Sequence, residues 1–122
     1  ALPDSGVDVF FGVGGAPEGV ISAAALRCMG GDFQGIFRPR NDGEVVRAKK
    51  MGIEDINKVL TMDDLASGNV MFAATGVTDG NLLEGVKFKP WGAVTHSLVM
   101  RSQSGTVRNI TAEHHFDKKP RY

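Results

Sequence analysis

The stretch Gly12-Val13-Gly14-Gly15-Ala16-Pro17-Glu18-Gly19 constrains this chain more than any other. Before it runs Val7-Asp8-Val9-Phe10-Phe11, short, β-branched and aromatic, which reads as a buried strand. After it a helix is predicted from Pro17 to about Met29, because proline suits the first helical position, where its missing N–H would be unbonded in any case. Val20, Ile21, Ala23, Ala24, Ala25, Leu26, Cys28 and Met29 leave that helix almost no polar face, with Arg27 the only charge among them. It is therefore expected to be buried on most sides, between sheets. Gly30-Gly31 supplies a left-handed stop.

The rest of the chain is read around this unit. Phe33 to Phe37 alternates as a strand and ends at Arg38-Pro39-Arg40. Asp42 to Met51 reads as a charged amphipathic helix with Val45, Val46 and Met51 inward. Ile56 to Leu60 is a short apolar strand candidate, and Thr61 to Ala66 a helical turn capped by Thr61 or Asp63. Asn69 to Ala74 reads as a central strand leading into Thr75-Gly76-Val77-Thr78-Asp79-Gly80. Beyond Gly80 no helix is expected. Val86 to Phe88, Ala93 to Met100 and Thr106 to Thr111 are strand candidates, with Ser102-Gln103-Ser104-Gly105 a hairpin loop and His114 to Tyr122 a loose charged tail. The expected class is α/β with a mixed sheet, βα units on the N-terminal side and an antiparallel strand meander on the C-terminal side.

Acidic and basic residues balance at 14 each, which argues against nucleic acid or a membrane surface as partner, since both favour a basic excess. At 122 residues, 42% hydrophobic and 23% charged, the chain fits one ordinary globular domain with a real core. Its single cysteine, Cys28, allows no internal disulfide and sits in an apolar stretch, so a buried reduced thiol and a cytoplasmic origin are expected. Neither a signal peptide nor an apolar run long enough to span a bilayer is visible. The chain opens almost directly on a strand-like segment without an initiator Met, as a fragment or a processed chain would.

The glycine segment joins a strand to a helix N-terminus, where free N–H groups and the helix dipole favour anions. Two readings stay open on this ground: a small-molecule site, and a tight turn whose glycines only permit close packing. Two familiar phosphate loops are excluded. A dinucleotide loop needs glycine where Pro17 stands, and Asp32 precedes the next strand instead of ending it. A P-loop needs Gly-Lys-Ser/Thr, which is absent. Glu18 in the first turn is favoured by the dipole but would repel a phosphate at the same helix end. Backbone donors beside a carboxylate suit a hard divalent ion such as Mg²⁺ or Mn²⁺, or a sugar hydroxyl. One glutamate is too few for a metal site, so its partners must come from elsewhere.

Pro3-Asp4-Ser5-Gly6-Val7-Asp8, the glycine segment itself, Met51-Gly52-Ile53, the phrase Phe72 to Gly80 and the string Thr95 to Ser102 together resemble class II fructose-1,6-bisphosphatases, in that family's order and over nearly the whole chain. The resemblance implies a sugar-phosphatase-like fold and a bacterial, divalent-metal-dependent sugar phosphatase of gluconeogenesis, related to the lithium-sensitive phosphatases. Its implied substrate is fructose 1,6-bisphosphate, joined in photosynthetic members by sedoheptulose 1,7-bisphosphate. The implied chemistry is attack of metal-activated water on the 1-phosphate, with Mg²⁺ or Mn²⁺ as cofactor. Matched residue by residue, Glu18 corresponds to a metal-ligand glutamate and Gly15 to a substrate-contacting glycine. The family's Asp-Gly-Asp motif, and most of its ligand carboxylates, lie upstream of the glycine segment and have no counterpart here. Residues 1–122 are thus expected to be the C-terminal domain of a sugar bisphosphatase, without the upstream catalytic and metal-binding domain. The expected partners are the missing N-terminal part, a second copy of the chain, or both. The alternative is a folded or assembly module that does no chemistry by itself.

Other candidates carry bland readings. His114 and His115 are adjacent, would face opposite ways in a strand, and fit a solvated tail better than a metal site. His96 fits a hydrogen-bonded sheet histidine. Cys28 lies late in an apolar helix without a nearby cation, which disfavours a nucleophile. Asp63 and Asp64 read as a cap plus a surface charge. Thr75 and Asp79 follow a central strand, a place where ligands bind in α/β sheets. Arg38 and Arg40 flank Pro39 and read as surface loop charges.

Overall fold

A computed structural model describes residues 5–118. The Pro3-Asp4 end of the first family phrase and the last residues of the charged tail, 119–122, lie outside the described residues. Helix α1 (Ala16–Met29) begins after Gly15, with proline in its first turn and Glu18 beside it. Gly30 ends it at φ 77°, a left-handed conformation that costs a glycine nothing, and Gly31 N–H closes on the Leu26 carbonyl at 3.0 Å. Strand β1 (Gln34–Ile36) follows, then α2 (Asp42–Lys50), β2 (Val59–Thr61) and the single turn α3 (Met62–Leu65). The cap of α2 is Asn41, whose side chain accepts from Glu44 N–H at 3.0 Å. The cap of α3 is Thr61, in a reciprocal capping box with Asp64.

The C-terminal half is a four-stranded sheet of β3 (Met71–Thr75), β4 (Lys87–Lys89), β5 (Gly92–Arg101) and β6 (Thr106–His115). Strand β5 is its spine: β6 runs along one edge for its whole length, while β3 and β4 share the other. The loop Ser102 to Gly105 closes the β5–β6 hairpin with Gly105 at φ 58°, as the sequence predicts. The expected α/β class and antiparallel meander are found. On the N-terminal side the alternating elements give a separate two-stranded ladder of β1 and β2, and every ladder among the described residues is antiparallel.

Strand alternation sets where the core sits. Leu98 and Met100 point to one face of β5, Phe72 lies opposite Met100 in β3, and α1 lays Ala25, Cys28 and Met29 over them. Val70 and Leu83 complete this cluster, in which Met100 is 1% exposed.

Several expectations are overturned. Val7 to Phe11 forms no strand; Phe10 is 85% and Phe11 91% exposed, because no strand among the described residues pairs with them. Helix α1 is only partly covered: Ala23 and Cys28 are buried against α3 and one face of the β3–β5 sheet, but Val20 and Ile21 are exposed. In α2 the fully buried residue is Ala48, while Val46 and Met51 are exposed. His114 and His115 belong to β6 and not to a solvated tail, because the hairpin continues to their level opposite Ala93 and Gly92. Among the described residues no helix is long and apolar enough to cross a membrane.

Candidate functional site

Gly15 is the N-cap of α1 at φ −69°, ψ 159°, and makes no side-chain cap bond. Its carbonyl accepts the N–H of Gly19 at 3.0 Å, which starts the helix. Glu18 folds back over this turn. A Cβ built on Gly15 would collide with Glu18 Oε2 and lie 3.2 Å from its Cδ. Gly15 is therefore needed for the space that the Glu18 carboxylate fills, not for its own backbone angles, which any residue adopts. The carboxylate stands at the positive end of the α1 dipole, where an anionic side chain is stabilised. Glycines 12, 14 and 15 are all exposed, so the loop is not a close-packed turn in this structure. The structure thus brings together Gly15 and Glu18, the two residues carried over from the family pattern.

Their donor set can be tested against a divalent cation. A hard cation takes about six oxygen ligands, with one or more carboxylates among them. Glu18 is the sole carboxylate over the turn, and among the described residues no group of three or more His, Cys, Asp or Glu side chains could hold a metal ion. These residues do not make up a metal site by themselves.

A second polar cluster lies past the end of β3. Asp79 Oδ1 accepts from Gly85 N–H at 2.9 Å and from Lys87 Nζ at 2.5 Å. The bond from Lys87, then that from Gly85, holds the Asp79 carboxyl below its usual range, and Asp79 in turn raises Lys87. His96 Nδ1 lies 3.4 Å from the Gly85 carbonyl, and its Nε2 is 4.0 Å from Glu84. Gly76 N–H bonds the His96 carbonyl at 3.0 Å, so the loop from Gly76 to Val86 is clasped to β5. Thr75 Oγ1 meets Ser97 Oγ at 2.8 Å across the β3–β5 ladder. Asp79 is thus a loop clasp, and its partner Lys87 and the His96 neighbour Glu84 are residues the sequence did not single out. Nothing in their spacing of eight and five residues from Asp79 marks them, because a folded-back loop creates the proximity.

The remaining candidates resolve into structural roles. Arg40 is a 2.7 Å ion pair with Glu44 at the start of α2, which lowers the Glu44 carboxyl, and Arg38 is exposed. Asp63 pairs with Arg27 of α1 at 2.5 Å, while Asp64 is the capping-box acid. The Lys58 ammonium 2.6 Å away, the Thr61 N–H and the Thr61 hydroxyl together lower Asp64 to about 2. Cys28 is buried, with Sγ 3.6 Å from the Val70 carbonyl. His96 is the hydrogen-bonded sheet histidine that the bland reading expects. His114 Nε2 meets Thr95 Oγ1 at 2.9 Å, and His115 stacks on Trp91 with centroids 4.6 Å apart.

Comparison with known proteins bears on nearly the whole chain. The family described as bacterial fructose-1,6-bisphosphatase, glpX-encoded, matches residues 1–114. The fructose-1,6-bisphosphatase 1 class 2 of Escherichia coli K12 is 46% identical over 132 aligned residues, covering 97% of this chain. The class 2 fructose-1,6-bisphosphatases of Escherichia coli O6:H1 and Shigella flexneri match with the same identity and coverage. The chain spans 39% of the length of each of these relatives.

Proposed function

The chain belongs to the family of bacterial, glpX-encoded fructose-1,6-bisphosphatases, and from that premise we propose that it is the C-terminal domain of such an enzyme. The reaction is hydrolysis of a phosphate ester, turning fructose 1,6-bisphosphate into fructose 6-phosphate and phosphate, a step of gluconeogenesis in the cytoplasm. The observation that carries the reading is the family match across the glycine turn, together with the Glu18 carboxylate seated over Gly15 at a helix N-terminus.

In this reading Glu18 is one oxygen ligand of a Mg²⁺ or Mn²⁺ ion, and the polypeptide outside this chain supplies the others. Gly15 contributes a backbone face without a side chain, beside which a sugar phosphate can lie. Apart from Pro17, which has none, the first-turn N–H groups of α1 meet no side-chain cap, which leaves them open to an oxygen of the substrate. Such donors act by position, stabilising negative charge without moving.

The incomplete donor set favours a second statement: the isolated chain folds but releases no phosphate. The test is phosphate release from fructose 1,6-bisphosphate with Mn²⁺ or Mg²⁺. It compares the chain alone, the chain joined to the unmatched part of the Escherichia coli relative, and the joined form carrying Glu18→Gln. Release only in the joined form, lost with Glu18→Gln, is expected. Full release by the isolated chain would overturn the shared-site reading, and full activity of Glu18→Gln would remove Glu18 from the metal set.

A further inference from the structure

The C-terminal end of α1, the single turn α3 and the tip of the β5–β6 hairpin enclose a cleft of two joined hollows, which share Arg27, Gly30 and Ser102. The larger, about 490 Å³, is walled by Met29, Leu82, Leu98, Met100 and Val107. The smaller, about 350 Å³, is edged by Arg27, Met62, Asn69, Ser102 and Gln103. Volumes of this order suit a small molecule, and an apolar chamber beside a few convergent polar groups is the usual form of such a site. The polar end carries a surplus of donors. Arg27 Nε donates to the Gly68 carbonyl at 3.0 Å and Nη1 to Asp63 at 2.5 Å, which leaves Nη2 without an acceptor among the described residues. Ser102 Oγ accepts the Val70 N–H at 2.8 Å, and Gln103 Oε1 accepts from Arg101. The Ser102 hydroxyl hydrogen and the Gln103 amide N–H groups are therefore uncommitted as well.

We propose that this cleft binds a small monocarboxylate with an apolar body of a few carbons, its head on Arg27 and its body in the larger hollow. Donors that outnumber the acceptors around them call for negative charge, and a guanidinium N–H on a carboxylate is among the stronger hydrogen bonds. The charge that fits is single. Asp63 already offsets Arg27, and Gly30 brings the negative end of the α1 dipole to the cleft, which opposes a dianion such as a phosphate ester. Leu82 and Val107, both exposed, offer the apolar surface that the body covers, over a floor of Leu98 and Met100. Arg27 stands nine residues beyond Glu18 on α1, about 14 Å along the helix axis. The cleft is thus separate from the glycine turn, and the inference does not rest on the proposed function.

The test titrates the chain with hexanoate and follows its backbone amide signals by NMR, beside hexanamide, acetate and hexyl phosphate. Hexanoate should shift the amides of Arg27 to Gly31, Asn69 and Ser102 to Val107, saturating with a Kd on the order of 1 mM, as suits a ligand this small. Hexanamide, whose head is uncharged, should bind about 10-fold or more weaker, the loss of one charge-assisted hydrogen bond. Acetate lacks the body and should bind about 100-fold weaker. Hexyl phosphate should bind less tightly than hexanoate because of its second charge. Arg27→Gln and Leu82→Asp should each weaken hexanoate about 10-fold or more. Leu82 is exposed, so its variant decides the matter if Arg27→Gln does not fold. No saturable shift with hexanoate, shifts confined to other residues such as the Glu18 turn, or unchanged affinity in a folded variant overturns the proposal. Hexanamide as tight as hexanoate, or hexyl phosphate tighter, overturns the assignment of a monocarboxylate. Binding should persist when the chain is joined to the unmatched part of the Escherichia coli relative. Its loss there would show that other polypeptide fills the cleft, and would overturn the proposal too.

Discussion

Replacing Gly15 by alanine separates the backbone of the turn from the place of its carboxylate. The backbone at Gly15, φ −69° and ψ 159°, accepts any L residue. The added Cβ would occupy space now held by Glu18 Oε2, while Pro17 Cδ, at 3.7 Å, stays in ordinary contact. The end of a glutamate side chain moves easily, so the carboxylate swings off the turn at a cost of about 0.5–1.5 kcal/mol for an off-rotamer χ angle. Alanine also lowers unfolded-state entropy, stabilising by about 0.4–1 kcal/mol, and it is a poorer N-cap than glycine. These terms oppose one another, so folding stability should stay within about 1 kcal/mol. In the metal-ligand role proposed for Glu18, displacing its carboxylate should cost about 10–100-fold in metal affinity. The assay is the Mn²⁺ concentration giving half-maximal phosphate release by the assembled enzyme, beside the melting temperature of the isolated chain. We expect the first to rise about 10–100-fold and the second to move little. An unchanged Mn²⁺ requirement would refute the steric argument. A large fall in melting temperature with normal metal use would show that the backbone, not the carboxylate, needs Gly15.

Asp64 titrates at about 2 in the fold against 3.8 as a free side chain, so its contribution is full above pH 3.8 and is lost as pH falls through 2. The difference in melting temperature between the native chain and Asp64→Asn should therefore be present near neutrality and vanish towards pH 2. Gly85→Ala would place a Cβ 2.6 Å from the Thr78 backbone, which cannot swing away. Chemical denaturation should show a loss of about 1–3 kcal/mol, with reduced amide protection across residues 76–86. Met100→Ala empties the most enclosed large side chain of the core and should cost about 2–5 kcal/mol by the same measurement. A loss below 1 kcal/mol at Met100 would mean that α1 settles into the space.

Local rules carried the sequence reading wherever a few neighbouring residues settle the outcome. Pro17 and Gly30 bracket α1, Thr61 caps α3, and Ser102 to Gly105 turns the β5–β6 hairpin. Each rests on dihedral preference or on a hydrogen bond within one or two turns of chain. The pairing of Gly15 with Glu18 is legible for the same reason, because three residues on a helix turn meet in space. Burial was read less well. The apolar runs in Val7–Phe11 and α1 state how much surface needs covering, but not whether this chain has anything to cover it.

What the sequence alone determined, then, is the family, the order of elements from α1 to β6 and the turn that carries the carboxylate. Only the tertiary structure decided that Asp79 is tied to Lys87 and Gly85, that Asp63 reaches Arg27 across 36 residues, and that His114 and His115 lie within the sheet. It alone decided too that the strand-like segment before the turn stands uncovered. The physical reason is common to all four. Propensity and capping act over neighbouring residues, whereas these contacts, and the lack of one, depend on where distant parts of the chain come to rest.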